Sequence, residues 1–442
     1  MINPKNYRVA FHNLGCKVNA YETERMRESF LKLGFRQVSF DSPADIYVVN
    51  TCTVTNIADR KSRQMLHRAR AMNPNACIAA VGCYVDTKGG ETVLADGIDL
   101  AVANKEKDSL PEKVMEYLET KDPLTAGFPD SSTAASEQSI FDGSPKADTG
   151  GYTRAFLKVQ DGCNMFCSYC VIPYARGRIK SPPIRTLVNE ARKLGDKGYK
   201  EIVLTGIHVS SYGLDRTSDK ERLQDLILAI SDIASIKRIR LSSLEPRIIT
   251  EDFVRALLQS DKVCPHFHLS LQSGSDRVLK RMNRHYTSSE YQEKVDLLRS
   301  FYDHPAITTD VIVGFPGETD DEFQETFDFL KEIKLYETHI FAYSIRNGTR
   351  AASMEGQITQ AVKQKRSQIL RELCEHNKRL FEDSILKERP EAELLLEDPL
   401  SGYTKRYLKV FLENPFGSSG DILRGKLAGR DDTGRLLFKP IS

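Results

Sequence analysis

Cys163, Cys167 and Cys170 stand in one short run, Cys163-Asn-Met-Phe-Cys167-Ser-Tyr-Cys170, directly after an apolar stretch that reads as a strand. Thiolates at this spacing supply three corners of an iron–sulfur cluster and leave one iron without a protein ligand, open to a small molecule. Zinc is the competing reading, but a closed structural zinc site wants four ligands, and no fourth Cys or His lies beside this loop. A second set is dispersed. Cys16, Cys52 and Cys83 each follow a strand-like run, in Phe11-His-Asn-Leu-Gly-Cys16, Val48-Val-Asn-Thr-Cys52 and Ala80-Val-Gly-Cys83. The carboxyl ends of the strands in a parallel sheet share one edge, where ligand sites form, so these thiols converge. Three buried structural cysteines are the alternative, because free Cys packs readily in cores. Cys77, Cys264 and Cys374 fit neither set and are explained by packing.

The elements that position these thiols follow from the alternation of strand-like and helix-like stretches. The fold class is α/β throughout the first two segments. Residues 1–120 read as a parallel α/β domain of Rossmann or flavodoxin type, with strands at Tyr7 to Phe11, Ile46 to Val49, Cys77 to Val81 and Leu100 to Ala103. Residues 121–150 turn to Pro, Ser, Ala, Asp and Gly without apolar period, as a linker does. From 151 to 388 six further units alternate, with strands near Ala155 to Val159, Glu201 to Leu204, Ile239 to Leu241, His266 to Leu271, Thr308 to Val313 and His339 to Tyr343. Six units predict a partial (β/α)6 barrel, short of the full eight. Thr319-Asp-Asp-Glu322 has capping-box spacing for a helix, and a long charged helix near Gln360 to Lys387 closes the segment. Residues 389–442 carry short strand-like pieces between Gly and Pro turns, which predicts a small OB-like β-barrel.

Composition sets the bounds. The chain has 442 residues, 63 basic against 61 acidic, and nine cysteines. That length calls for more than one domain, and the near-zero balance neither demands nor excludes nucleic acid. An odd number of scattered cysteines argues against a secreted disulfide framework and for reduced thiols used as ligands. The start lacks an apolar signal core and no run has bilayer length, so a soluble, cytoplasmic protein without a membrane partner is expected.

With both triplets in place, the chain resembles the radical S-adenosylmethionine (SAM) methylthiotransferase family over essentially its whole length. The matching stretches are Leu14-Gly-Cys-Lys-Val-Asn19, Asn50-Thr-Cys-Thr-Val-Thr55, Val81-Gly-Cys-Tyr84, Asp161-Gly-Cys-Asn-Met-Phe-Cys-Ser-Tyr-Cys170, Leu271-Gln-Ser-Gly-Ser275 and Gly314-Phe-Pro-Gly-Glu-Thr319. The resemblance implies an auxiliary 4Fe-4S cluster on Cys16, Cys52 and Cys83, a radical SAM barrel whose 4Fe-4S cluster sits on Cys163, Cys167 and Cys170, and a C-terminal TRAM domain that grips tRNA. Its members place a methylthio group on carbon 2 of a modified adenosine beside the anticodon, or on a ribosomal aspartate. Gly15-Cys-Lys-Val-Asn-Ala-Tyr-Glu22 and Asn50-Thr-Cys-Thr-Val-Thr-Asn-Ile-Ala-Asp-Arg-Lys-Ser-Arg-Gln64 look most like the branch acting on N6-threonylcarbamoyladenosine at tRNA position 37. The isopentenyladenosine branch has Gln and Met where this chain has Lys17 and Val18.

The same resemblance implies further roles. Tyr169 matches the aromatic residue near the adenine of SAM, with loop packing as the alternative. Gly314 matches the place where the barrel backbone meets that adenine, and Gly206 the amino-group side; both also suit plain turn glycines. Ser270 and Gln272 match positions that reach the ribose, or are satisfied polar residues at a strand end. Arg176, Arg178 and Arg346 match substrate-facing arginines, whose forks suit phosphate or the carboxylate of a threonylcarbamoyl group; surface solvation is the alternative. A hydrogen on carbon 2 of adenine is beyond any protein base, so such an enzyme draws on SAM cleaved by one electron. An electron donor such as flavodoxin or ferredoxin is then expected. Basic residues support RNA locally: Arg60, Arg63, His67 and Arg70 fall at helical spacing, and from Ser401 onward eight basic residues face four acidic ones. Rival readings are methylthiolation of isopentenyladenosine or of the ribosomal aspartate, and, from a different class, a non-catalytic iron–sulfur protein that binds RNA.

Overall fold

A computed structural model describes residues 2–121, 153–216, 220–388 and 391–441. The linker expected at 121–150 lies, apart from Lys121, outside the described residues. The chain divides into two compact units, Met1–Gly151 with Cys170–Arg178, and Tyr152–Tyr169 with Ile179–Ser442.

In the first unit, β1 (Arg8–Asn13), β2 (Arg36–Gln37), β3 (Ile46–Thr51), β4 (Cys77–Gly82) and β5 (Leu100–Val102) form a parallel sheet in the order β2-β1-β3-β4-β5. Every residue of β3 and β4 is buried, as expected of continuous apolar strands covered on both faces. Ile46 and Val48 pack on one side with Met26 and Phe30 of α1 (Lys17–Leu33), while Tyr47 and Val49 pack on the other with Leu66 and Ala69 of α2 (Asn56–Met72). Helix α1 stops at Gly34, whose left-handed backbone (φ 99°) closes it, and Thr55 caps α2 by accepting from the Ala58 amide at 3.1 Å. Shorter helices α3 (Cys83–Lys88), α4 (Gly90–Ala95), α5 (Leu110–Thr120) and α6 (Ile172–Arg176) complete the unit. Because β1, β3 and β4 are neighbours, their carboxyl ends lie side by side at one edge.

In the second unit, β6 (Ala155–Gln160), β7 (Glu201–Gly206) and β8 (Arg238–Leu241) form one parallel sheet, and β9 (His266–His268), β10 (Ala306–Val313) and β11 (Glu337–Ala342) another. Bridges Ile239↔Val263 and Leu244↔Leu269 join them edge to edge, so six strands run in sequence order as the partial barrel predicted. The fourth strand ends at His268 rather than Leu271, because Gln272 adopts a left-handed φ of 72° and the ladder turns irregular. Apolar residues of alternate register, such as Leu157, Ile202, Leu204, Ile239 and Val311, face a core supplied by α7 (Ile184–Asp196), α8 (Leu223–Ser231), α9 (Glu251–Leu257), α11 (Ser288–Phe301), α12 (Asp320–Ile333) and α13 (Gln360–Glu388); α10 (Asp276–Arg281) packs Val278 and Leu279 inside as well. The Thr319–Glu322 capping box opens α12 as its spacing foretold.

Strands β12 (Glu391–Asp398), β13 (Ser401–Thr404), β14 (Lys409–Phe411), β15 (Ile422–Arg430) and β16 (Leu436–Pro440) close the small C-terminal barrel. Its β13–β14 turn is keyed to β8: Arg238 donates to the Tyr403 carbonyl and Arg240 to the Lys405 carbonyl, both at 3.0 Å. Burial works against the charge of Glu201, yet Arg240 at 2.7 Å and Arg238 hold its carboxyl below the usual range. Among the described residues no helix is long and apolar enough to cross a membrane.

Candidate functional site

The dispersed triplet converges as the strand-end argument requires. Cys16 begins just past β1, Cys52 directly follows β3, and Cys83 opens α3 directly after β4. Gly15 has φ +100°, and a Cβ on it would lie 2.8 Å from both the Cβ and the Sγ of Cys52. Only glycine therefore lets the Cys16 loop rest on Cys52. Ser62 Oγ fixes the Cys52 backbone, accepting from its amide at 3.2 Å and donating to its carbonyl at 3.0 Å. Burial, with Cys83 and Cys16 close by, pushes the Cys52 thiol up to about 11. Ionising one sulfur is opposed by the others, a situation that a bound cation reverses, so the donor set fits an iron–sulfur cluster.

Behind these sulfurs lies a buried polar network that sequence reasoning missed. Asn19 donates to the carbonyls of Leu14 (2.7 Å) and Thr51 (2.9 Å), and Asn50 donates to the Asn19 carbonyl at 2.9 Å. Lys107 pairs with Glu22 and reaches Asn50 Oδ1 at 3.1 Å. Arg176, expected to face substrate, belongs instead to this network. Its side chain is 1 % exposed and its fork grips Glu22 at 2.9 and 3.0 Å, so the guanidinium is matched by a buried carboxylate. The signal was present in Asn19 and Glu22, which stand three and six residues after Cys16 on one face of α1. Arg178, in the same segment, is exposed.

The compact triplet is held by its own loop and by a neighbour. The Met165 amide donates to Cys163 Sγ at 3.4 Å, and Phe166 takes a left-handed φ of 48°, unusual for an aromatic residue and a mark of a constrained turn. Asn283 Nδ2 donates to the carbonyls of Met165 (3.3 Å) and Phe166 (3.0 Å), and Arg284 Nη1 donates to Cys167 Sγ at 3.3 Å. Neither residue was singled out from sequence, where Arg281-Met-Asn-Arg284 reads as a basic helix end. Burial raises the Cys163 thiol above its usual range, Cys167 adds to this, and the Met165 amide and Arg284 oppose it. Cys170 opens the segment that groups with the first unit. Cys77, Cys264 and Cys374 are buried, in keeping with packing roles.

Of the other expected site residues, the second unit holds Tyr169, Gly206, Ser270, Gln272, Gly314 and Arg346. Tyr169 packs edge-on against Phe315, ring centroids 6.4 Å apart. Gly206, paired with Gln160, would bring a Cβ to 3.0 Å from the carbonyl and side-chain oxygens of that residue. Ser270 accepts from Tyr286 through its carbonyl. Gln272 is buried with its amide on the Asp310 carbonyl at 2.8 Å, so its strained backbone is held by strand β10. Gly314 (φ +70°) gives its amide to Glu318 at 2.7 Å and lies under the stem of Lys363, 2.3 Å from where a Cβ would stand. Arg346, expected to face substrate, is buried, and its carbonyl closes a turn with the Thr349 amide and hydroxyl.

The basic face of α2 divides. Arg70 is absorbed by Asp99 and the Pro74, Ala76 and Gly97 carbonyls, whereas Arg60, Arg63 and His67, with Gln64, line an open surface concavity of about 530 Å³. In the C-terminal barrel several of the eight cations are also paired: Arg406 with Asp303, Arg430 with Glu382 and Asp383, and Arg435 with Asp431.

Comparison with known proteins adds independent findings. Residues 157–330 match the radical SAM superfamily and residues 8–103 the uncharacterized protein family UPF0004. The chain is 39% identical over 426 residues to the threonylcarbamoyladenosine tRNA methylthiotransferase MtaB of Bacillus subtilis (strain 168), covering 95% of this chain and 93% of the relative. It is 38% identical to the protein of the same name from Aquifex aeolicus (strain VF5), covering 94% and 99%. Among solved structures, the radical S-adenosylmethionine methyltransferase TsrM from Kitasatospora setae, with cobalamin and a 4Fe-4S cluster bound, superposes with a TM-score of 0.56 at 17% identity, covering 78% of this chain and 77% of that one. At that identity the likeness speaks for the fold.

Proposed function

The chain belongs to the radical SAM tRNA methylthiotransferase family, and we propose that it converts N6-threonylcarbamoyladenosine at tRNA position 37 to the 2-methylthio derivative. What supports the reading is two cysteine triplets in one chain, with an N–H donor aimed at Cys83 of the dispersed one and another at Cys167 of the compact one. The two relatives named for that nucleoside, similar over more than nine-tenths of this chain, support the choice of substrate. Two 4Fe-4S clusters and SAM, when bound, would supply one-electron cleavage of a sulfonium and a source of sulfur.

The chain's own residues do the rest. Cys163, Cys167 and Cys170 would hold the cluster at which SAM binds, with Asn283 and Arg284 fixing their loop. Tyr169, Gly206, Ser270, Gln272 and Gly314 would line the SAM site. At Gln272 the side chain is set by a backbone that an ordinary strand residue would not adopt. Cys16, Cys52 and Cys83 would hold the auxiliary cluster. Arg178 would meet tRNA, joined by Arg60, Arg63 and His67 through phosphate contacts, and such contacts would make binding fall steeply with salt. In this reading 1–120 is the methylthiotransferase domain, 121–150 a linker, 151–388 the radical SAM domain and 389–442 the TRAM domain. A flavodoxin or ferredoxin would deliver the electrons, in the cytoplasm where tRNA is modified.

The test is mass spectrometry of tRNA nucleosides from a strain lacking the gene. Loss of the 2-methylthio derivative of threonylcarbamoyladenosine, restored by the intact gene, is expected. Loss of the isopentenyl product instead, or of neither, contradicts the assignment.

A further inference from the structure

Arg176 sits inside the first unit, and its contacts single out one cysteine of the dispersed triplet. While its fork holds Glu22 and its Nη2 donates to Asn19 Oδ1 at 2.8 Å, its Nε–H points at Cys83 Sγ, 3.3 Å away. Asn104 Nδ2 approaches the same sulfur at 3.5 Å. The partners of Arg176 are themselves fixed to the sheet edge that carries the cysteines: Asn19 to the Leu14 and Thr51 carbonyls, Glu22 to Lys107, and Lys107 to Asn50. A surface ion pair would leave such a fork free to swing. This one is almost wholly desolvated, where a charged side chain is tolerated only in full register with its partners.

Arg176 and Lys107 both pair with the carboxylate of Glu22, and the Asp86 carboxylate lies close to both cations. An N–H donor on a ligand sulfur withdraws negative charge from it and favours the reduced, more negative state of an attached cluster, which raises its reduction potential. Cys16 is exposed and Cys52 is met by the backbone amides of Val54 and Thr53, whereas Cys83 is met by the side-chain N–H groups of Arg176 and Asn104.

We propose that Arg176 is a positioning residue for the dispersed triplet: it aims Cys83 Sγ and, through its Nε–H, raises the reduction potential of the cluster that Cys16, Cys52 and Cys83 hold. The inference rests on the reading of those cysteines as cluster ligands.

The experiment uses the full-length chain carrying Cys163→Ala, Cys167→Ala and Cys170→Ala, reconstituted anaerobically so that only the dispersed triplet can load. Iron is counted and the cluster titrated by EPR-monitored potentiometry. The parent is expected to hold about four irons; if it holds none, the ligand reading fails and not the role of Arg176. Arg176→Lys keeps a cation beside Glu22 without the Nε–H. It is expected to load iron and to be about tenfold harder to reduce, a shift of about 59 mV for a one-electron couple. A midpoint equal to the parent's overturns the proposal. Should that variant unfold, Asn104→Ala decides, since it removes the second donor while Arg176, Glu22 and Lys107 stay in place, and Asp86→Asn, which removes the charge that Asn104 also holds at 2.6 Å, is its control: a smaller shift in the same direction, not reproduced by the control, supports N–H control at Cys83, and no shift overturns it.

Discussion

One cysteine triplet is made by a loop and the other by a sheet. Cys163 and Cys167 are set by residues within the loop and by two side chains that follow α10, Asn283 and Arg284. Cys16, Cys52 and Cys83 exist as a group only because β1, β3 and β4 are neighbours in a parallel sheet and because Gly15 and Gly82 let the chain turn tightly beside them. A loop-built site tolerates change elsewhere in the fold, whereas a sheet-built site depends on register and on backbone conformations that only glycine adopts. The first is a local property of sequence; the second is a property of topology.

That contrast is open to direct attack. The largest effect is expected of Cys163→Ala, which should take formation of 5′-deoxyadenosine from SAM to background, and with it all methylthio product; turnover retained by this variant would dissolve the distinction between the sites. Cys52→Ala should abolish methylthio product while leaving cofactor cleavage, measured by chromatography of 5′-deoxyadenosine, within a few-fold of the parent. Product from that variant would mean that the sheet-built site does not carry sulfur. Arg284→Met, which removes the donor to Cys167, should lower iron affinity of the loop-built site by about 10–100-fold, in the range for loss of a partner behind a ligand, with no change at the other triplet. Gly15→Ala mirrors it. With φ +100° and a Cβ 2.8 Å from Cys52 Sγ, it should cost about 1–3 kcal/mol of stability by denaturant unfolding and weaken iron loading at the dispersed triplet alone. Equal damage to both triplets from either of these two variants would show that they are not independently built.

Much of this was legible without coordinates. Apolar runs such as Ile46 to Val49 announce parallel strands, and the order of elements then places Cys16, Cys52 and Cys83 at strand ends. The six-strand barrel and the Thr319 capping box were equally plain, because period and capping chemistry are local signals. What sequence hid is whatever depends on partners far along the chain. Arg176 looks like any exposed arginine after a cluster loop until Glu22 is found beneath it, 154 residues away in sequence. Arg284 lies 117 residues from the cysteine it contacts. The fourth strand is shorter than its apolar content predicts, because Gln272 turns left-handed. The basic count of the C-terminal barrel overstated its free charge, since Arg406 and Arg430 are paired with Asp303, Glu382 and Asp383.

The central claim, two independent three-cysteine cluster sites in one chain, is tested most directly by counting iron and clusters in oxygen-free, reconstituted full-length protein by Mössbauer spectroscopy. About eight irons in two 4Fe-4S clusters are predicted for the parent, and about four in one cluster for each triple Cys→Ala variant, whichever triplet is removed. A parent with a single cluster, or a triple variant that keeps all the iron of the parent, would contradict it.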